Sequence, residues 1–154
     1  MKKKTIICII LLVLLAAAIV GVIVVKNHSV SDSKPQSYSS LEEANEAADF
    51  GLNGSDRLCG YPATDYEASS NTVKITYADA GFISKTLGET NNGSTGEKYS
   101  EAAEQAVEDR TVTFKGNEEK VYIAEWTENG FSYTISVTDG VDSDEMIEYV
   151  KATR

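Results

Sequence analysis

Asn129-Gly130, inside the stretch WTENGFSYTISV (Trp126–Val137), leaves the surrounding chain little conformational choice. Both residues tolerate positive φ, which a two-residue type I′ turn requires at each corner, and such a turn fixes the register of the strands it joins. Residues equidistant from the pair then face each other: Glu128 with Phe131, Trp126 with Tyr133, Ala124 with Ile135 and Tyr122 with Val137. The reverse face shows Thr127 with Ser132, Glu125 with Thr134 and Ile123 with Ser136. Cross-strand pairs such as Trp126–Tyr133 add about 0.2–1 kcal/mol each. Burying the whole apolar face contributes several kcal/mol at about 25 cal/mol per Å². Burial therefore decides, and the aromatic face is expected to be interior.

Other segments follow the same periodicities. Val73, Ile75 and Tyr77 alternate with Lys74 and Thr76 as in a half-buried strand. Asp65–Ser69 is its expected partner across a Ser70-Asn71 turn, and Phe82–Leu87 runs back after a turn at Ala78–Gly81. Ser40 and Glu43 have the spacing of a capping box opening a helix with Leu41, Ala44 and Ala48 on one face, ended by Gly51 and Gly54. Asp142 or Ser143 caps a second helix, whose docking stripe is Met146, Ile147 and Val150. Tyr99–Arg110, YSEAAEQAVEDR, has the local propensity of a helix.

The front of the chain differs in kind. Lys2–Lys4 precede Thr5–Val25, TIICIILLVLLAAAIVGVIVV, a run without charge whose 21 residues match the length of a membrane-spanning helix. A cleaved signal peptide is the rival, with Ala16–Ala18 as its small-residue site. Cleavage there leaves Ile19–Val25 as an apolar new terminus, which favours an uncleaved anchor. The expected organisation is a cytoplasmic basic tip (1–4), a transmembrane anchor (5–25), a polar linker (26–38) and an extracytoplasmic domain (39–154). Lysines before the run keep the N-terminus cytoplasmic by the positive-inside rule, so the cell membrane is the expected location. Secretion after cleavage is the alternative.

All 24 acidic residues follow Val25, against ten basic ones after residue 30, a balance of −14. That sign excludes nucleic acid as a partner, because its recognition requires clustered positive charge. Cys8 and Cys59 lie in different parts of the chain and form no staple; Cys59 suits a small buried side chain. His28, the sole histidine, falls in the linker. Gly88 and Gly93 have phosphate-loop spacing, but Ser94-Thr95 stand where lysine must follow. Asp139, Asp142, Asp144 and Glu145 lack the alternating acids and central glycine of an EF-hand, and acidic first turns are ordinary helix punctuation. Asn27, Asn53 and Asn92 open Asn-x-Ser sequons.

In order along the chain, VTFKGN (Val112–Asn117), KVYIAEW (Lys120–Trp126), NGFSYTISV (Asn129–Val137) and SDEMIEYVK (Ser143–Lys151) resemble the closing third of a domain-of-unknown-function family. Its members are anchored or secreted exterior proteins of Gram-positive bacteria. SLEEA (Ser40–Ala44) and VKITYADAG (Val73–Gly81) extend the resemblance more loosely. It implies an α+β domain with a curved antiparallel sheet of about six strands, flanked by an N-terminal and a C-terminal helix. It also implies a strand rather than a helix at Ala102–Val107, since tertiary context overrides weak propensity. The family brings no established activity and no catalytic residues.

No catalytic, cofactor-binding or metal-ligating residue set emerges, and no cofactor is expected. There is no His-Glu-x-x-His, no Gly-x-Ser-x-Gly and no Cys–His pair in the folded part. The expected function is a non-catalytic, membrane-anchored module that binds or senses a peptide, an envelope component or an apolar ligand held in the sheet's concavity. Its lipid contact is residues 5–25. A structural or assembly module meeting a protein partner through a sheet edge or acidic face is the alternative. A carboxylate-based glycan hydrolase is the remaining class, since such chemistry needs only two acids.

Overall fold

The computed structural model describes residues 34–88 and 99–154. Along the chain these form β1 (Gln36–Tyr38), α1 (Leu41–Ala48), β2 (Arg57–Leu58), β3 (Tyr61–Pro62), β4 (Asp65–Ala68), β5 (Thr72–Tyr77) and β6 (Gly81–Leu87). After the undescribed stretch come β7 (Glu101–Val107), β8 (Arg110–Asn117), β9 (Lys120–Glu128), β10 (Phe131–Val141) and α2 (Ser143–Ala152). Eight strands make one sheet in the order β1-β4-β5-β6-β10-β9-β8-β7, and β2 pairs with β3 apart from it. Every neighbouring pair is antiparallel.

This corrects the expected architecture. A large sheet dominates, with eight strands rather than about six. One addition is β1, drawn from the stretch assigned to the linker; its three residues QSY show no apolar alternation that would announce a strand. The expected transmembrane, single-pass anchor is not found either. No described helix is long and apolar enough to cross a membrane. The two helices have 8 and 10 residues, about 12 and 15 Å of rise against about 30 Å of hydrocarbon. Residues 5–25 themselves lie outside the described residues.

Locally, register follows the turns. Glu128, Trp126 and Ala124 pair with Phe131, Tyr133 and Ile135, as the Asn129-Gly130 turn requires. Beyond Ser136 the pattern breaks: Val141 pairs with Val121, leaving Val137–Gly140 against Tyr122 alone, so the expected Tyr122–Val137 pair does not form. Gly140, at φ +65°, makes room there for the Tyr122 ring, which also stacks on Tyr99 at 5.2 Å. The stretch EAAEQAV is strand β7, paired residue for residue with β8.

One face of the sheet carries the core. Val73, Ile75, Ile83, Ile135, Ala124 and Phe114 lie on it, and Ala44, Ala48, Met146 and Val150 of the two helices pack against them. Ser40 caps α1, its Oγ accepting the Glu43 N–H at 3.2 Å. The Glu43 carboxylate reaches Ser39 rather than Ser40. Asp49, at φ 61°, closes this helix before either glycine. Asp142 caps α2 by accepting the Glu145 N–H at 2.8 Å.

Two glycines in the sheet contrast sharply. A Cβ on Gly81 (φ +137°) would fall 1.9 Å from the Ser136 carbonyl oxygen, whereas one on Gly130 (φ +80°) meets nothing within 4 Å. Gly130→Ala is expected to cost about 1–2 kcal/mol, the left-handed backbone term. Gly81→Ala adds a main-chain collision and is expected to cost about 3 kcal/mol or more in urea unfolding. The β8–β9 turn is the opposite case, since Glu118 and Glu119 occupy φ 52° and 68° where Asn-Gly is preferred. The double variant Glu118→Asn/Glu119→Gly is expected to gain about 1–2 kcal/mol and several degrees in Tm.

Candidate functional site

Strand alternation places two cations on the core face. Lys85 follows Ile83 inward on β6, and Arg110 precedes Val112 and Phe114 inward on β8. Between them the sheet carries Tyr133 on β10 and Trp126 on β9, directly paired. Their rings stack at 4.9 Å, only 3° from parallel. The Arg110 guanidinium sits 5.8 Å from the indole centroid, and the Lys85 ammonium 5.3 Å from the phenol centroid. The result is a row of cation, ring, ring, cation at one end of the core.

Arg110, 8% exposed, ties the sheet to α2. Its Nη1 donates to the carbonyls of Val150 at 2.9 Å and Thr153 at 3.1 Å. These belong to the end of a helix, where carbonyls lack intrahelical partners and the dipole favours a cation. Glu128 stands 3.5 Å from Nε and Glu108 3.8 Å from Nη2 as counter-charges. Among the described residues Nε has no hydrogen-bond partner, nor has the indole N–H of Trp126.

Lys85 is 9% exposed. Its ammonium donates to the Gly51 carbonyl and lies 4.5 Å from the Phe131 centroid and 5.9 Å from that of Phe50. An ammonium has three N–H donors, and among the described residues only Gly51 accepts from Lys85. Taking a lysine out of water costs several kcal/mol. Three ring faces, worth up to about 2 kcal/mol each when desolvated, offset much of that cost. Burial lowers the Lys85 pKa, and Glu128 pulls it partly back up.

Above this row opens a cleft of about 690 Å³. Lys85, Arg110 and Tyr133 form its floor. The rim holds Glu108 and Asp109 of the β7–β8 turn, Glu128 at the end of β9, Asn129 of the β9–β10 turn, and Arg154. Asn53 exchanges backbone hydrogen bonds with Arg154, at 2.7 and 2.9 Å, which fixes the chain's end there. The arrangement suits a small molecule with both charges: acceptors meet the cations below, and an amine meets the carboxylates above.

The residues singled out in the sequence go elsewhere. Cys59 is half-buried in the β2–β3 turn, and burial raises its thiol pKa, with Glu145 adding to the shift. Its N–H donates to Tyr149 Oη at 2.8 Å, whose hydroxyl donates to Glu145 at 2.5 Å. Asp142 is a cap, and Lys120 donates to the main-chain carbonyl of Asp139. Among the described residues, no group of three His, Cys, Asp or Glu is placed to hold a metal. His28, Asn27, Asn92 and Gly93–Thr95 lie outside the described residues. The helices α1 and α2 pack against the core face of the sheet, and the cleft beside Lys85 and Arg110 is lined mainly by charged and polar residues. Neither Lys85 nor Arg110 was flagged by a motif. Their signal is a cation in the inward phase of a strand, in ISKTL and RTVTF.

Comparison of the chain with protein-family models, curated proteins and solved structures gives no match.

Lys85 carries a definite sign in stability. Its folded-state pKa lies below the unfolded value, so the unfolded chain binds the proton more tightly and the charged lysine subtracts from stability below the folded pKa. Stability recovers as pH rises through that pKa toward the ordinary lysine value. Lys85→Met keeps the volume without the charge. Urea unfolding is expected to show the variant at least as stable as the parent to within about 1 kcal/mol at pH 7, with the alkaline rise removed.

Proposed function

We propose that this chain is a non-catalytic binding module, working outside the cytoplasm, that captures a small zwitterionic ligand such as a free amino acid or a peptide end. The observation that carries this is the Lys85 ammonium, nine-tenths buried at the floor of an open cleft with N–H groups left over after its bond to Gly51. A buried charge with unmatched donors is costly unless a ligand completes it, and a carboxylate does so with short charge-assisted bonds. Asp109 on the rim is a counter-charge suited to the ligand's ammonium, beside Glu108 and Glu128, which also face Arg110. The cleft's volume lies in the range of small-molecule sites. Lys2–Lys4 and the uncharged run that follows support delivery to the exterior.

Dialanine tests the assignment by two-dimensional amide NMR. The free dipeptide is expected to shift signals of residues 85, 128 and 133. Capping its carboxylate as an amide is expected to weaken binding at least tenfold, about 1.4 kcal/mol. Lys85→Met is expected to abolish it while the remaining spectrum stays folded. Equal binding of the amide, or no response at those three residues, overturns the proposal.

A further inference from the structure

Lys85 differs from other lysines of the domain in what surrounds its ammonium. Lys74, Lys115 and Lys151 sit against the carboxylates of Glu67, Glu125 and Glu148 at 2.8, 2.6 and 2.7 Å. A carboxylate at that range holds an amine in its protonated form. Lys85 makes no ion pair among the described residues. Its ammonium has the Gly51 carbonyl as acceptor and the faces of Phe131, Tyr133 and Phe50 at 4.5, 5.3 and 5.9 Å from their centroids. An ammonium brings three N–H groups to a setting that supplies one acceptor and three aromatic surfaces. A cation with a single N–H and a delocalised, weakly hydrated charge fits that setting better. A protonated imine is such a cation.

We propose that Lys85 captures a small 2-oxo acid from the cleft as a covalent protonated imine. The lone pair of the neutral Nζ attacks the ligand's carbonyl carbon, and the carbonyl oxygen takes up a proton as the N–C bond forms. That oxygen then leaves as water while the C=N bond is made. Overall, ammonium and carbonyl give iminium and one water. Two of the three ammonium protons depart in the water, the third stays on nitrogen, and the positive charge is conserved. No oxidant or further reactant is needed. The departing protons correspond to the N–H groups without an acceptor, and the remaining one keeps its bond to Gly51. Burial lowers the Lys85 pKa, which favours the attacking neutral amine, as in other lysines made nucleophilic by desolvation. Arg154, on the rim of the same cleft, makes no ion pair among the described residues and suits the acid's carboxylate. This capture goes beyond the ion-pair binding proposed above: it needs the same open cleft but not the same ligand.

Pyruvate is the probe. The full chain is incubated with it near neutral pH, reduced with sodium cyanoborohydride, and read by intact mass and peptide mapping. One carboxyethyl group is expected on residue 85, in about tenfold excess or more over any other lysine. Lys85→Met is expected to lose it. Acetone has the carbonyl without the carboxylate and is expected to label residue 85 about tenfold less, while Arg154→Gln brings pyruvate down toward the acetone level. Labelling spread over several lysines, or none at residue 85, overturns the inference even where dialanine still shifts residues 85, 128 and 133. Equal labelling by acetone overturns the assignment to a 2-oxo acid. Labelling at residue 85 without any dialanine response overturns the ion-pair reading alone.

Discussion

The parallel stack of Trp126 on Tyr133 at the centre of the sheet is the contact on which the other features rest. It joins the two longest strands, β9 and β10, at the third pair from their turn. Both rings are almost wholly buried, so they bring large apolar area into the core while presenting two aromatic faces outward along the row. Those faces make room for cations where a core would otherwise exclude them. Without the phenol and its neighbours Phe50 and Phe131, the Lys85 ammonium would face a purely aliphatic wall. Without the indole, the Arg110 guanidinium would lose the surface it lies over.

Arg110 converts this local row into a long-range tie. By donating to Val150 and Thr153 it holds the end of α2 over the strands, and the Asn53–Arg154 backbone pair anchors the chain's last residue to the loop after α1. The cleft is thus built from five separate parts of the chain meeting at one end of the core. Its polarity follows directly: the turns above carry Glu108, Asp109 and Asn129, while the strand positions beneath them carry Lys85, Arg110 and Tyr133. A buried ion-rich site of this kind is seldom the most stable choice, since apolar replacements of equal volume commonly match or exceed it.

Elsewhere the chain accepts strain in its turns. Cys59, Glu108, Glu118, Glu119 and Asn129 all hold positive φ, and only Asn129 is of a type enriched there. Tight hairpins are nevertheless formed, because each joins strands whose pairing and burial outweigh about 1–2 kcal/mol per residue of left-handed backbone. The acidic turn at Glu108 also serves two surfaces at once, closing the edge strand on one side and forming the rim of the cleft on the other.

Local chemistry alone determined the hairpin register around Asn129-Gly130, the inward aromatic face, the strands expected at 65–69, 73–77 and 82–87 to within a residue, the cap at Ser40, and a second cap at Asp142 or Ser143. Each depends on residues within a few positions of one another. EAAEQAV shows where that information ends: its alanines and glutamates favour a helix, and its extended form comes from pairing with β8. The eight-strand extent, the slip opposite Tyr122 and the strand Gln36–Tyr38 likewise depend on partners distant in sequence. So does the cleft. Lys85 and Arg110 are unremarkable letters in two strands, and only the packing of β6, β10, β9 and β8 aligns them with the stacked rings beneath one opening. Short-range sterics and periodicity are written in consecutive residues, whereas a buried charge acquires meaning only from the groups that folding brings around it.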